Sequence, residues 1–151
     1  MVTLKIQKVK EIVVDVLTRR DFTREEAEII SESLIYAELR DNNQGLAKLK
    51  DIKQNPDRGQ ITIETEGTSF RLIDGHYNQA MVVVNKATEV AVEKAKQNGV
   101  GIVGINRTNT SSGAIGFFAR KIALENLIGI VCATTRPIMA PYGGKEARIG
   151  T

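Results

Sequence analysis

The stretch from Gly101 to Thr151 constrains the fold most, because apolar runs alternate there with polar loops. An apolar run at Gly101–Ile105 leads into small polar residues at Asn106–Gly113, and a second apolar run lies at Ile128–Ala133. Strands that alternate with helical segments indicate βαβ units. Polar loops at strand ends are where α/β proteins place their ligands. We therefore predict two strands at the apolar runs, a helix at Ser112–Glu125 and a ligand-binding edge.

The first part of the chain, residues 1–59, is predicted to be a helical segment. Apolar residues recur at helical spacing over Leu4–Thr18 and again over Arg24–Arg40. The second helix begins with a capping box at Thr23–Glu26. In this motif the Thr23 hydroxyl can accept a free backbone N–H of the first turn, and the Glu26 side chain can reach back to the start of the helix. Its narrow apolar stripe predicts a single packing partner, either the first helix or another subunit. A short third helix is predicted from Leu46.

The remainder, residues 60–151, is predicted to form part of an α/β domain. Alternation over Ile61–Glu66 predicts a half-buried strand, and a hairpin-type link joins it to a second strand at Ser69–Ile73. A long helix is predicted over Gln79–Asn98, with small residues on the face that approaches the sheet. Gly99 follows as a helix C-cap.

Composition and charge exclude several classes of protein. The net charge is +3, from 21 basic and 18 acidic side chains whose signs are interspersed, so no basic stripe for nucleic acid is present. Cys132 is the only cysteine, which excludes a disulfide framework, and its apolar neighbours predict a buried, inert thiol. No apolar run approaches the roughly 18 residues of a membrane span. The N-terminus lacks the apolar region of a signal peptide, so we predict a cytoplasmic protein.

Two places can carry chemistry on the residues alone. His76 is the only histidine and follows Asp74, which could orient it for proton transfer, although a solvated turn histidine is the simpler interpretation. The loop Thr108–Gly113 offers backbone N–H groups and hydroxyls that could hold an anion, or that simply cap the next helix. One histidine and one cysteine do not build a zinc site. Neither usual phosphate-binding glycine motif occurs.

Five segments together resemble the type-2 malate/L-lactate dehydrogenases, a family that includes sulfolactate, ureidoglycolate and diketogulonate dehydrogenases. They are Ala37–Arg40, the Asp74-Gly75 turn, Gly99–Gly104, Ser112–Phe118 and Ala140–Thr151. The resemblance implies an α/β fold distinct from the Rossmann type, in which N-terminal helices precede a mixed sheet with flanking helices. It also implies that residues 60–151 are part of a cofactor-binding-type domain, with NAD or NADP as the cofactor, a small 2-hydroxy or 2-keto acid as the substrate, and a homodimer. Family members are considerably longer, so the expectation is that this sequence corresponds to an N-terminal half.

Several positions depart from the family pattern. Gln44 occupies the histidine slot of a Ser-His-Gly element, and Lys48 stands where the family often binds the substrate carboxylate with an arginine. Ser111 occupies the slot of the proton-transfer histidine, and Ala80 replaces a glycine. Thr135 matches a position that contacts the dinucleotide. The resemblance therefore assigns catalytic slots to Ser111 and Gln44, substrate binding to Lys48 and cofactor binding to Thr135.

Two functions follow from these departures. One is an oxidoreductase acting on the CH–OH group of 2-hydroxy acids, impaired because both family histidines are replaced and the matched portion is incomplete. Serine without a nearby base does not titrate near neutrality, and general acid–base catalysis contributes about 10²–10⁴-fold in rate. The alternative is a pseudoenzyme, a catalytically silent module for ligand binding or protein interaction.

Overall fold

A computed structural model describes residues 3–150, which form four α-helices, one 3-10 helix and three strands. In chain order these are α1 Ile6–Thr18, α2 Arg24–Glu38, the 3-10 helix Leu46–Asp51, β1 Thr62–Glu66, β2 Phe70–Asp74, α3 Ala80–Asn98, β3 Ile102–Asn106 and α4 Gly116–Leu124. The predicted fold class, N-terminal helices followed by a mixed sheet with flanking helices, is confirmed. Within residues 3–150, no helix has the length and apolar character required to span a bilayer.

The sheet has the strand order β1-β2-β3 and is mixed. β1 and β2 form the predicted antiparallel hairpin, with an irregularity between Ile63 and Thr65. β2 and β3 are parallel, and Asp74 lies opposite Asn106 at the end of the ladder. The crossover between them is α3, so β2–α3–β3 is the βαβ unit of the described chain. Since both parallel strands end at one edge, the loops that follow them meet there.

The predicted helix signals operate as expected. The side chain of Thr23 accepts the Glu26 N–H at 3.2 Å, and the Glu26 carboxylate accepts the Thr23 N–H at 2.8 Å. α3 ends at Gly99, whose φ of 82° is left-handed. A side chain at Gly101 would collide with the carbonyl of Ala91. The small-residue face of α3 thus lets the backbone of the next strand approach closely.

Two apolar clusters hold these elements together. The larger joins α1 and α2 to the start of α3 and to α4, and its buried members include Leu17, Ile30, Leu34, Met81 and Phe118. The smaller lies between β2 and α3 and contains Ile73, Val83, Ala87 and Val90. α2 packs on α1 and also on α3. The larger cluster therefore crosses the boundary placed between residues 59 and 60, and the division itself stays a prediction.

The strand predicted at Ile128–Ala133 is wrong. Within the described residues, its backbone joins no ladder, and the side chains of Ile128 and Ile130 are 96% and 86% exposed. Gly129 instead packs against the side chain of Ile122. The composition suits a strand, but a strand needs a hydrogen-bonded neighbour, and here the run passes β3 without pairing. The βαβ unit that we predicted from β3, α4 and this run is therefore not formed.

Two related predictions also fail. Cys132, expected to be buried, is exposed because the run that carries it is unpaired. The last helix begins at Gly116 and not at Ser112. The reason is Gly113, whose φ of 73° is incompatible with a right-handed helix and delays its start.

Candidate functional site

Ser111 and Gln44, the residues predicted in the two family histidine slots, are in direct contact. The Ser111 hydroxyl donates a hydrogen bond to Oε1 of Gln44 at 3.1 Å, across 67 positions of sequence. One residue lies in the loop between β3 and α4, and the other lies in the loop between α2 and the 3-10 helix. The fold therefore brings two separately predicted positions together at one point of the surface.

The Gln44 side of this contact is held by its own loop. The Gln44 N–H donates to Oδ1 of Asn42 at 2.9 Å, and its side-chain amide donates to Oδ1 of Asn43 at 3.0 Å. The carboxylate of Glu38 accepts the N–H of Leu46 at 2.8 Å. A Cβ at Gly45 would collide with that carboxylate, so a larger residue there would displace the Glu38 side chain. Glu38 thus fixes the start of the 3-10 helix directly after Gln44.

The Ser111 side is a loop with unusual backbone angles. Arg107, Thr110 and Gly113 have φ values of 45°, 62° and 73°. The N–H of Gly113 donates to the Ser111 hydroxyl at 3.1 Å. A Cβ at Gly113 would lie 3.0 Å from both the Ser33 hydroxyl and the Met81 methyl group. The Ser111 oxygen is therefore oriented by two hydrogen bonds, one to Gln44 and one from its own loop.

The interpretation that this loop only caps the following helix is wrong. The N-cap of α4 is Ile115, and no side chain caps it. The first N–H groups of the helix are bonded within the turn, from Phe117 to Ala114 and from Phe118 to Ile115. The polar side chains of the loop are thus available for contacts outside α4, as the Ser111–Gln44 bond demonstrates.

Gln79 is a residue that the sequence reasoning passed over. It is 3% exposed, and its Oε1 accepts the Met81 N–H at 2.6 Å at the start of α3. Its Nε2 donates to the Thr110 hydroxyl and to the Ser111 carbonyl, each at 3.2 Å. A polar residue directly before a strong helix signals a cap. Its contacts with residues 31 and 32 positions away have no local signal.

Lys48 and Thr135, the other two predicted site residues, lie in different places. Lys48 is half-buried in the 3-10 helix, and its N–H bonds the Gly45 carbonyl at 3.0 Å, so it follows Gln44 by about one turn. Thr135 is exposed, and its hydroxyl donates to the Arg136 carbonyl at 2.9 Å. Among residues 3–150, no hydrogen bond joins Thr135 to Ser111, Gln44 or Lys48.

His76 belongs to a separate cluster at the carboxyl edge of the parallel strands. Its ring Nε2 lies 3.0 Å from Oδ2 of the buried Asp74 and 3.1 Å from the Thr62 hydroxyl. Asp74 also accepts the His76 N–H at 2.8 Å and is paired with the guanidinium of Arg107. The contact with Asp74 that the sequence leaves open for His76 is thus observed, whereas the simpler interpretation is a solvated turn histidine. Asp74 contacts His76 in the loop after β2 and Arg107 in the loop after β3, so its carboxylate joins these two loops.

The Ser111–Gln44 pair can form hydrogen bonds with an oxygen atom of a substrate, but it cannot readily exchange a proton with that atom. A hydroxyl and an amide offer a donor and acceptors to a substrate carbonyl or hydroxyl. Neither titrates near neutrality, which efficient general acid–base catalysis requires. Lys48, about one turn after Gln44 in the chain, carries a positive charge without the bidentate fork of arginine. The arrangement fits recognition of a small oxygen-rich anion better than rapid proton transfer.

Comparison with known proteins gives consistent results. Residues 4–151 match the family model described as malate/L-lactate dehydrogenase. The malate dehydrogenase of Pyrococcus abyssi is 38% identical, over 92% of this chain and 40% of its own length. Among similar solved structures, malate dehydrogenase from Pyrococcus horikoshii OT3 has a TM-score of 0.90 and 31% identity, and the match covers 99% of this chain and 44% of that one. Sulfolactate dehydrogenase from Methanocaldococcus jannaschii has a TM-score of 0.88 and 33% identity, and the match covers 98% of this chain and 45% of that one. The chain thus spans less than half the length of these relatives.

Proposed function

This chain belongs to the malate/L-lactate dehydrogenase family, and we propose that it forms the substrate-facing part of an NAD(P)-dependent oxidoreductase of 2-hydroxy and 2-keto acids. The observation that carries the proposal is the hydrogen bond between Ser111 and Gln44 at 3.1 Å. Both residues stand where the family resemblance expects a histidine, and the fold joins them across the molecule. The names of the similar proteins, malate and sulfolactate dehydrogenase, support a small hydroxy acid as the substrate.

Each residue has a part in this proposal. The ammonium group of Lys48 binds the substrate carboxylate. The second amide N–H of Gln44 donates to the oxygen on C2, and the Ser111 oxygen accepts from that group when it is a hydroxyl. In the reductive direction C2 gains a hydride and its oxygen takes a proton from water, so that a 2-keto acid becomes a 2-hydroxy acid. The dinucleotide, when bound, supplies the hydride. We further propose that the protein acts as a homodimer in a reducing, cytoplasmic setting, which suits the exposed thiol of Cys132.

The Thr135 hydroxyl can form one hydrogen bond with the dinucleotide. The Thr135 hydroxyl already donates to the Arg136 carbonyl, so it can still accept a hydrogen bond. A ribose hydroxyl, which can donate, fits this position without any rearrangement of Thr135. NAD and NADP both carry such a group, so Thr135 does not choose between them.

We propose that turnover is impaired, because the site lacks an efficient group for the proton transfer. Serine and glutamine replace both family histidines, so the oxygen of the substrate meets a donor on Gln44 and an acceptor on Ser111 but no group that titrates near neutrality. Loss of general acid–base help lowers a rate by about 10²–10⁴-fold. The same observation favours the second candidate function, a catalytically silent module that keeps ligand binding. The two candidates differ in turnover and not in recognition.

One set of measurements tests both candidates. Fluorescence titration with NADH measures dinucleotide binding, and reduction of pyruvate, oxaloacetate and glyoxylate measures turnover. We expect slow turnover that rises by about 10²-fold in the Ser111→His variant, because an imidazole restores a group that titrates near neutrality. Asn98→His, at the far end of α3, is the matched control and should leave the rate unchanged.

The outcomes separate the candidates. Binding of NADH without turnover, in the parent chain and in Ser111→His alike, would establish the silent module. Absence of binding at millimolar NADH would contradict the oxidoreductase proposal for this chain. Turnover that Ser111→Ala abolishes in the parent would show that the serine participates in a different proton route.

A further inference from the structure

We propose that Gln79 is the positioning residue of the site, holding the loop that aims the Ser111 hydroxyl at Gln44. Gln79 is 3% exposed, and its side-chain amide uses both of its heteroatoms. Oε1 accepts the Met81 N–H at 2.6 Å, while Nε2 donates at 3.2 Å to the Thr110 hydroxyl and at 3.2 Å to the Ser111 carbonyl. One buried amide therefore connects the start of α3 to the loop that carries Ser111.

The backbone beside Gln79 reinforces this connection. The N–H of Ala80 donates to the Asn109 carbonyl at 2.9 Å, and the N–H of Asn109 donates to the Asn78 carbonyl at 2.8 Å. These bonds extend the parallel pairing of β2 and β3 beyond the ends of the strands. They hold the loop as far as Asn109. The Gln79 side chain then holds the next two residues, Thr110 and Ser111.

The loop needs such a restraint because its backbone is strained where Gln79 holds it. Thr110 has a φ of 62°, in the left-handed region that a β-branched residue rarely adopts. Conformations of this kind persist only where surrounding contacts over-determine them. Without the two bonds from Nε2, Thr110 can relax toward negative φ, and Ser111 would turn with it. The hydroxyl would then leave Gln44.

Ser111 is held from two sides, which makes its direction depend on Gln79. The Gln79 side chain donates to the Ser111 carbonyl. The Ser111 hydroxyl donates to Gln44 and accepts from the Gly113 N–H. Fixing the carbonyl sets the orientation of the residue, and the orientation sets where the hydroxyl points. The consequence for turnover rests on the function proposed above, whereas the geometry of the loop can be tested without any substrate.

The Gln79→Glu variant separates positioning from helix capping. A carboxylate still accepts the Met81 N–H, which suits the N-terminus of α3. It offers no donor to Thr110 or Ser111, and it places a negative oxygen against the Ser111 carbonyl. Asn78→Asp is the matched control. Asn78 is also buried, and its amide donates at 2.7 and 2.8 Å to the carbonyls of Gly59 and Gly75, outside the Ser111 loop.

The experiment is amide NMR on the folded chain, with hydrogen exchange of Gly113 and Met81 and the side-chain amide signals of Gln44. For Gln79→Glu we expect shifted Gly113 and Gln44 signals and at least tenfold faster exchange at Gly113, with Met81 protection retained. Asn78→Asp should leave Gly113 and Gln44 as they are. Thr110→Val, which keeps the Ser111 carbonyl bond, should give a smaller change than Gln79→Glu.

A purely structural role would produce a different pattern. Unchanged Gly113 and Gln44 signals in Gln79→Glu, or equal changes in Asn78→Asp, would overturn the proposal. If Gln79→Glu does not fold, the uncharged Gln79→Met is measured in its place, with the same Gly113 and Gln44 readouts deciding. Within Ser111→His, adding Gln79→Glu should lower kcat about tenfold, because misplaced catalytic groups lose rate. An inactive Ser111→His would count against the proposed oxidoreductase and leave the NMR result standing.

Discussion

The loop that leads into α4 and the segment that leaves it are held in opposite ways. Before α4, the carbonyls of Asn106, Arg107 and Asn109 all accept backbone N–H groups from the β2–α3 connection. After α4, residues 128–133 have a better strand composition but make no backbone hydrogen bond within the described part of the chain. Strained, polar backbone is thus hydrogen-bonded to a neighbouring segment, while the relaxed, apolar backbone makes no such bond, although Val131 packs against the larger cluster. Backbone hydrogen bonding here depends on whether a neighbouring segment is available and not on composition.

The first way to sharpen this comparison is to ask how firmly α4 itself is anchored. Phe118 is fully buried in the larger cluster, and its ring meets that of Phe117 edge-on at 5.1 Å. We expect Phe118→Ala to lower the free energy of unfolding by about 3–5 kcal/mol, because it removes buried area and leaves a cavity. Urea denaturation measures this. Leu124→Ala, on the same helix but 63% exposed, should change it by less than about 0.5 kcal/mol. Equal effects would contradict the assigned core.

Local signals explain which parts of the fold the sequence predicts. The capping box at Thr23–Glu26 and the left-handed stop at Gly99 act within one turn, so the adjoining helix ends are predicted to within two residues. The hairpin and the small-residue face of α3 also follow from neighbouring positions. The strand at Ile128–Ala133 fails because pairing depends on a distant partner. The start of α4 fails because the left-handed Gly113 lies inside an otherwise helical pattern.

The candidate site divides in the same way. A family resemblance can name Ser111 and Gln44, because it compares positions one at a time. It does not show that they touch, since their contact depends on how two loops are folded. Gln79 is missed for the same reason, because its amide acts on residues more than thirty positions away. The roles assigned to Ser111, Gln44, Lys48 and Thr135 remain predictions that the variants described here address.

Gly113, in the loop between β3 and α4, provides the second test. Its φ is 73°, and a Cβ there would crowd Ser33 and Met81 at 3.0 Å. We expect Gly113→Ala to lower the unfolding free energy by about 1–3 kcal/mol, from backbone strain and crowding together. Gly143→Ala is the matched control, because its φ is 75° but nothing lies within 4 Å. Thermal denaturation of both variants separates the two causes. If Gly143→Ala is equally destabilising, crowding contributes nothing.

The third test concerns the hairpin, where hydrogen bonds from Arg71 and then Lys94 hold the pKa of Glu66 below its usual value. A carboxyl whose pKa is lower in the folded state stabilises the protein above its unfolded pKa, and this contribution is lost as pH falls through the folded pKa. We expect the stability difference between the parent and Glu66→Gln to be present at pH 7 and to fade in acid below about pH 4. Denaturation across pH measures it. Arg71→Gln should weaken this acid dependence, and a pH-independent difference would refute the assignment.

The smallest effect is expected in the open segment, where Ile130 is 86% exposed. Ile130→Thr keeps the branched shape, removes little buried area and should change the unfolding free energy by less than about 0.5 kcal/mol. The same substitution at Ile30, which is fully buried in the larger cluster, should cost several times more, because a hydroxyl would enter an apolar core. Urea denaturation of the pair gives the ratio directly. A loss above about 1 kcal/mol at Ile130 would mean that this side chain is buried in solution. The contrast between a paired loop and an unpaired strand sequence would then have to be abandoned.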